Sequence, residues 1–177
     1  GGGLAPTSRW SARQVVCDSL VVPITARAEG PVALQVVVGM YDHETMAPLP
    51  AVDPAGNPVA HVVATRVRLA GSGRVHVPQY PLDVNLGDRV RLRGYDLPVG
   101  PQAPGADVPL TLYWEVLEPL GQDYTVFVHL VTGDGETVAW GDGPPLAGAY
   151  PTSLWARGEV LADERRLRLT DDVPMGL

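Results

Sequence analysis

One short pattern occurs twice in this chain, with 145 residues between equivalent positions. Pro6-Thr7-Ser8-Arg9-Trp10, followed by Asp18, matches Pro151-Thr152-Ser153-Leu154-Trp155, followed by Asp163. At the same spacing and without a gap, Gly3 aligns with Gly148. A pattern repeated at a fixed spacing marks one structural unit. We therefore expect the chain to begin inside one repeating unit and to end inside the next.

Short runs of alternating apolar and polar residues lie within and between the two copies, separated by turns rich in Gly and Pro. The alternation predicts seven or eight strands, at 14–24, 32–41, 62–69, 88–95, 110–117, 124–131, 137–140 and 160–169. Residues 71–86 show no clear periodicity and are predicted to be a linker. Short strands joined by many turns, without a helical stripe, predict an all-β fold and, within that class, an immunoglobulin-like or jelly-roll-type β-sandwich.

The repeat divides the predicted strands between two units. Residues 1–69 hold the Pro-Thr-Ser-x-Trp element and the back half of one unit, and 70–87 form the linker. Residues 88–177 hold the front half and the element of the next unit. Neither half can bury its apolar face alone, and an open apolar edge invites pairing with another chain. We therefore expect either a permuted sandwich closed within the chain, or one completed by strand exchange.

The two copies are expected to compete for one position in the sandwich, because residues 5–24 and 150–169 match in strand parity. The N-terminal copy is the expected donor to another chain, since its strand is more apolar. The predicted core contains apolar residues from both halves: Leu34, Val36, Val38, Leu112, Trp114, Val126 and Val128.

Composition excludes some functions. The net charge of −7 argues against nucleic-acid binding, which needs a basic surface. Cys17 is the single cysteine, so no internal disulfide can form, and we expect it to be a small buried residue. No apolar run approaches the roughly 20 residues of a membrane helix. Gly1-Gly2-Gly3 does not resemble the start of a signal peptide, so any export signal is expected outside this segment.

The repeated element has two interpretations. Its hydroxyls and indole suit a sugar-binding loop, but they also suit a structural loop held by side-chain bonds to the backbone, which we favour. Asp18 and Asp163 share strand parity with apolar residues, so each is expected to point inward and to pair with this loop. Trp114 and Trp140 are candidates for carbohydrate contact if their indoles are exposed.

Other polar residues carry weaker signals. His129 lies between apolar neighbours and is expected to be a core or interface histidine, since no second His or Cys stands at zinc-ligand spacing. Asp134, Glu136 and Asp142 offer oxygens for calcium but lack a complete ligand pattern. We predict no metal and no cofactor. No nucleophile–base motif or phosphate-binding loop is present, so we predict that the protein is not an enzyme.

Several motifs together carry a family resemblance. They are Gly39-Met40-Tyr41-Asp42, Arg91-Leu92-Arg93-Gly94-Tyr95-Asp96, Leu112-Tyr113-Trp114, the run from Tyr124 to Leu130, Asp142-Gly143-Pro144-Pro145 and Pro151-Thr152-Ser153-Leu154-Trp155. Taken in the order of one module, with Gly39-Met40-Tyr41-Asp42 last, they resemble the β-sandwich modules of bacterial surface proteins, including those that follow the membrane part of dolichyl-phosphate-mannose mannosyltransferase-type glycosyltransferases. The resemblance covers nearly the whole chain and implies no catalytic residue, because the transferase chemistry of such proteins lies in the membrane part.

Repeat and resemblance together predict a non-catalytic extracellular module at a bacterial cell surface. Its expected role is structural or adhesive, and its expected partners are copies of itself or neighbouring repeat modules, joined head to tail by strand exchange. The alternative is a carbohydrate-binding accessory module of a membrane glycosyltransferase, with cell-surface glycan as its partner.

Overall fold

The computed structural model describes residues 6–24, 30–71 and 76–170. These residues form ten strands and three short 3-10 turns, and they contain no α-helix. The strands are β1 Val32–Val38, β2 Ala51–Val52, β3 Pro58–Val59, β4 Val62–Leu69, β5 Tyr80–Leu86, β6 Val90–Asp96, β7 Asp107–Val116, β8 His129–Val131, β9 Thr137–Trp140 and β10 Val160–Arg168. All strand pairings are antiparallel. The all-β prediction is confirmed.

A four-stranded sheet in the order β10-β7-β6-β5 contains most of the buried structure. In β7 the even-numbered residues face the core, as period-2 alternation requires. The paired strand β10 places its odd-numbered residues on the same face, with Leu161 opposite Trp114 and Leu167 opposite Val108. Residues of the following loops and of β9 cover this face, including Ala139, Tyr150 and Trp155, each 3% exposed or less.

The predicted core is correct only for the residues that lie within 88–177. Leu112 and Trp114 are buried, and Val126 and Val128 pack partly buried against them. The three predicted core residues of β1, which are Leu34, Val36 and Val38, do not belong to this cluster, and Val38 is 52% exposed.

Ala33 contacts the core instead, and its N–H donates to the carbonyl of Ala149 at 2.8 Å. Because side chains alternate along a strand, this contact turns Leu34 and Val36 away from the cluster. β1 pairs with β4 alone in a two-stranded sheet, so it is not a central strand, although both of its faces carry apolar residues.

The linker predicted at 71–86 contains a strand, β5. Tyr80, Leu82, Val84 and Leu86 alternate with polar residues and Pro81, and the strand pairs with β6 at the edge of the sheet. An edge strand tolerates proline because one side of its backbone needs no partner. Gly94 lies in β6 at a register shift against both neighbours, with φ of 150°, and a Cβ there would clash with the Tyr80 carbonyl oxygen. This close approach requires glycine.

The predicted strand at 14–24 is absent, since residues 11–24 form no strand in the structure. A strand needs a hydrogen-bonded neighbour, and the position beside β7 is occupied by β10. Cys17, predicted to be buried, is exposed. Gly3, in the repeat alignment, lies outside the described residues. Among the described residues, no helix is long and apolar enough to cross a membrane.

Candidate functional site

Both copies of the Pro-Thr-Ser-x-Trp element fold into the same backbone turn. Thr7–Arg9 and Thr152–Leu154 are 3-10 turns, each preceded by an extended proline. In each, the N–H of the tryptophan donates to the threonine carbonyl at 3.1 Å: Trp10 to Thr7, and Trp155 to Thr152. The repeated sequence therefore specifies a repeated local conformation.

The C-terminal copy is held against the loop that precedes β8. The Thr152 hydroxyl accepts the N–H of Tyr124 at 2.8 Å and donates to the carbonyl of Gln122 at 2.9 Å. The Ser153 N–H donates to Asp123 at 3.0 Å. Hydrogen bonds from the side chain and the N–H of Ser153 hold the pKa of Asp123 below its ordinary value. These bonds to backbone and loop groups match the structural interpretation of the element.

The indole of the C-terminal copy lies inside the protein. Trp155 is 3% exposed, and its Nε1–H donates to the Tyr150 carbonyl at 3.0 Å. Tyr150 is fully buried, which raises the pKa of its hydroxyl, and that hydroxyl donates to the Leu154 carbonyl. Arg68 of β4 reaches the Tyr150 hydroxyl at 3.4 Å and the Glu159 carboxylate at 3.2 Å. The β1–β4 hairpin is thus joined to the element.

Asp163 is the most buried charged residue of the site, at 1% exposed. Its carboxylate accepts the Leu146 N–H at 2.8 Å, the Trp114 Nε1–H at 3.4 Å and the Arg165 Nε–H at 2.8 Å. The prediction that Asp163 points inward is confirmed, but its predicted partner is wrong. Its carboxylate bonds the loop at 145–148 rather than the Pro-Thr-Ser-x-Trp element, because Asp163 lies within β10, beyond that element.

The loop that Asp163 holds has an uncommon backbone. Leu146 and Ala147 have φ values of 52° and 51°, in the left-handed region that residues other than glycine rarely adopt. Such a conformation costs of order 1 kcal/mol or more per residue and persists only where the surroundings impose it. The hydrogen bond from Leu146 to Asp163 is one such constraint.

Arg165 completes the buried cluster and was missed in the sequence analysis. Its side chain is 7% exposed, and it donates to the carbonyls of Gly141 at 2.6 Å and Gly143 at 3.2 Å as well as to Asp163. The sequence signal for its burial was its position on the same face of the strand as Leu161 and Leu167. No buried side-chain nitrogen or oxygen among the described residues lacks a hydrogen-bond partner. We call Asp163, Arg165 and Trp114 the β10 polar cluster.

The N-terminal copy has the same residues in exposed positions. Trp10 is 38% exposed, and Thr7, Ser8 and Asp18 are also exposed. Val22 and Ile24 are 78% and 54% exposed, whereas their counterparts Leu167 and Leu169 are 4% and 5% exposed. The prediction that Asp18 points inward is therefore wrong for this chain, because the segment that carries it forms no strand beside β7.

The two candidate sugar-contacting tryptophans differ. Trp114 is 8% exposed and bonded to Asp163, which excludes it from contact with a ligand. Trp140 is 55% exposed and lies opposite His129 across the β8–β9 hairpin. His129 is exposed and contacts Asp142 at 3.2 Å, so it is not a core histidine, and the interface role stays a prediction. Hydrogen bonds from the Val128 N–H and from His129 lower the pKa of Asp142.

Phe127, at 74% exposed, lies with its ring centre 5.4 Å from that of His129. Phe127, His129, Trp140 and Asp142 therefore form an outward-facing surface, which we call the hairpin surface. Next to it, Trp140, Asp142 and Arg166 line a shallow depression of about 360 Å³.

The acidic residues considered for calcium do not assemble. Asp134 bonds the Thr132 hydroxyl of its own turn, and Asp142 bonds the Val128 N–H and His129. In the part of the chain that the structure describes, no group of three or more His, Cys, Asp or Glu residues lies close enough to hold a metal ion.

Comparison with known proteins gives no further guidance. No family model, no curated protein and no solved structure matches this chain.

Proposed function

We propose that this protein is a non-catalytic, extracellular structural module that assembles head to tail by strand exchange. In this proposal the strands form an immunoglobulin-like or jelly-roll-type β-sandwich, and the role is structural or adhesive at a bacterial cell surface. The observation that carries the proposal is the N-terminal copy of the repeated element. It adopts the same turn as the buried C-terminal copy, yet residues 11–24, which follow that turn, form no strand in the structure.

The energetic argument concerns the apolar side chains of that segment. Leu20, Val22 and Ile24 are 75%, 78% and 54% exposed. Burying a Val, Leu or Ile side chain contributes about 1.5–3 kcal/mol, so covering these three favours association by several kcal/mol before entropic costs. An extended segment with unpaired backbone groups gains hydrogen bonds by joining the sheet of another chain.

The cell-surface location rests on the motif resemblance to modules of bacterial surface proteins. Two structural observations are compatible with repeat modules in series. The C-terminal copy joins the sheet, and the β1–β4 hairpin contacts the same unit through Ala33 and Arg68. The N-terminal copy, which lies outside the sheet of its own chain, can then pair with strands of a neighbouring module or of another copy of the chain.

Removing residues 1–24 is expected to abolish self-association. Size-exclusion chromatography with light scattering should show masses above that of one chain for the full-length protein at high concentration, and a single-chain mass for the deletion. In the full-length chain, Val22→Glu should weaken association as well, because Val22 shares the inward-facing parity of Leu167. Val21→Glu is the matched control, since Val21 corresponds to the exposed Arg166. A full-length protein that stays monomeric at high concentration would contradict the proposal.

A second candidate function is carbohydrate binding at the hairpin surface. The observation that favours it is the combination of exposed Phe127, His129 and Trp140 rings beside the Asp142 carboxylate. Aromatic faces stack on the apolar faces of sugars, and a carboxylate accepts bonds from their hydroxyls. Binding of the full-length protein to immobilised glycans, lost in Trp140→Ala and retained in Trp10→Ala, would support this function. Equal binding by both variants would exclude the hairpin surface.

A further inference from the structure

We propose that the N-terminal copy of a second chain binds in the position beside β7 now held by the chain's own β10, and that Arg165 controls this exchange. This inference rests on the proposed function, since it names the surface through which the module would assemble. The occupant is identified by the repeat itself, which equates residues 6–24 with 151–169.

The match between the two segments extends along the whole inward face. At the repeat spacing, the residues of the N-terminal segment replace those of β10 as follows: Val16 for Leu161, Asp18 for Asp163, Leu20 for Arg165, Val22 for Leu167 and Ile24 for Leu169. Four of these five pairs keep the chemical type. An incoming segment in this register therefore presents an apolar face with one carboxylate to the core, as β10 does.

The incoming copy would also reproduce the anchoring of the turn. Thr7 offers the same hydroxyl as Thr152, which bonds Gln122 and Tyr124. Since Thr7–Arg9 already has the required 3-10 conformation, no rearrangement of that turn is needed. Asp18 offers the same carboxylate as Asp163, whose donors are the Trp114 indole and the Leu146 N–H.

Leu20 is the one inward-facing position at which the match fails. Arg165 donates to Asp163 and to the carbonyls of Gly141 and Gly143, and leucine can donate to none of them. An incoming strand would therefore bury the Asp18 carboxylate without a guanidinium partner. A buried charge without its partner is strongly unfavourable. Arg165 thus favours the chain's own β10 and restrains exchange.

The test uses substitutions in the full-length chain that give the equivalent positions 20 and 165 the same residue. Leu20→Arg gives the N-terminal copy the missing guanidinium and should lower the concentration of half-association by about tenfold or more. Arg165→Leu removes the advantage of β10 and should act in the same direction. Ser19→Arg is the control for charge, because its counterpart Glu164 is exposed, and it should leave association unchanged.

A crosslink reports where the segment binds. Ala162, the counterpart of Cys17, pairs with Tyr113 across β10 and β7. Full-length Tyr113→Cys should therefore form a disulfide between chains under mild oxidation with glutathione disulfide, and the yield should rise when Leu20→Arg is added. Tyr113→Cys combined with Cys17→Ser controls for pairing between two introduced cysteines and should lose the crosslink.

The outcomes separate this inference from the proposed function. If the wild type associates through residues 1–24 but Leu20→Arg has no effect and no Cys17 crosslink forms, the acceptor position is wrong while assembly stands. If only Leu20→Arg associates and crosslinks, the acceptor position is correct and assembly of the unaltered chain is refuted. If Leu20→Arg and the wild type both remain monomeric, both proposals fail. The Arg165→Leu result is not needed for these decisions, so its failure to fold would not affect them.

Discussion

Replacing Asp163 with alanine is expected to lower the free energy of unfolding by about 3–5 kcal/mol, the usual effect of removing one partner of a buried ion pair. The Arg165 side chain, 7% exposed, would lose the Asp163 carboxylate that it contacts at 2.8 Å. The Trp114 indole and the Leu146 N–H would lose an acceptor in the same step. The left-handed turn at Leu146 and Ala147 would lose one of its constraints.

Asp18→Ala provides the matched control, since it makes the same change at the equivalent position of the exposed copy. Urea denaturation at low protein concentration, followed by circular dichroism, should show a large loss of stability for Asp163→Ala and a small change for Asp18→Ala. Asp163→Asn should lie between them, because the amide oxygen still accepts a hydrogen bond while the charge is lost. Equal effects at positions 18 and 163 would show that β10 does not occupy its place beside β7 in solution.

Strand positions were predictable where alternation and turn signals agreed. The bounds predicted for β4 and β9, 62–69 and 137–140, are those of the structure. β9 follows Gly133-Asp134-Gly135, a sequence typical of the tight turn of a β-hairpin. β10 differs from the predicted range by one residue at its end. In each case a local pattern and a tertiary partner favour the same conformation.

Prediction failed where the tertiary partner decides the structure. Residues 14–24 have a strong strand pattern but no neighbour in the sheet, so they form no strand. In the opposite case, β5 contains proline, asparagine and an adjoining Gly87-Asp88 turn, yet pairing with β6 makes it a strand. Local propensity was a weak guide in both, because the hydrogen bonds of a strand are made to another segment.

The candidate site was predictable in its residue types and unpredictable in its partners. The repeat identified Thr152, Trp155 and Asp163, all of which are buried. The shared pattern does not identify which copy is buried; that prediction used a difference between them, the more apolar N-terminal strand, and the structure has the C-terminal copy beside β7. Arg165 was not predicted to be buried, although its parity with Leu161 and Leu167 places it on the core face. The burial of an arginine can be predicted only if its hydrogen-bond acceptors can be located. For Arg165 these acceptors are Asp163 and the carbonyls of Gly141 and Gly143.

Replacing Trp155 with alanine is expected to cost about 3–5 kcal/mol of stability, the range for truncating a buried aromatic residue. Trp155 is 3% exposed and belongs to the core cluster, so its removal leaves a cavity that rigid neighbours cannot fill. The Tyr150 carbonyl would also lose the indole N–H that it accepts at 3.0 Å. Trp155→Phe keeps part of the ring volume and should cost less.

Trp10→Ala is the control at the equivalent position of the other copy. Trp10 is 38% exposed, so in dilute solution its replacement should change the free energy of unfolding by well under the Trp155 value. The comparison should depend on protein concentration if the N-terminal copy enters another chain, because Trp10 would then take the buried place of Trp155. Denaturation at low concentration and light scattering at high concentration separate these roles: Trp155→Ala should lower stability at any concentration, whereas Trp10→Ala should chiefly weaken association. Equal losses of stability in dilute solution would contradict the burial difference between the two copies.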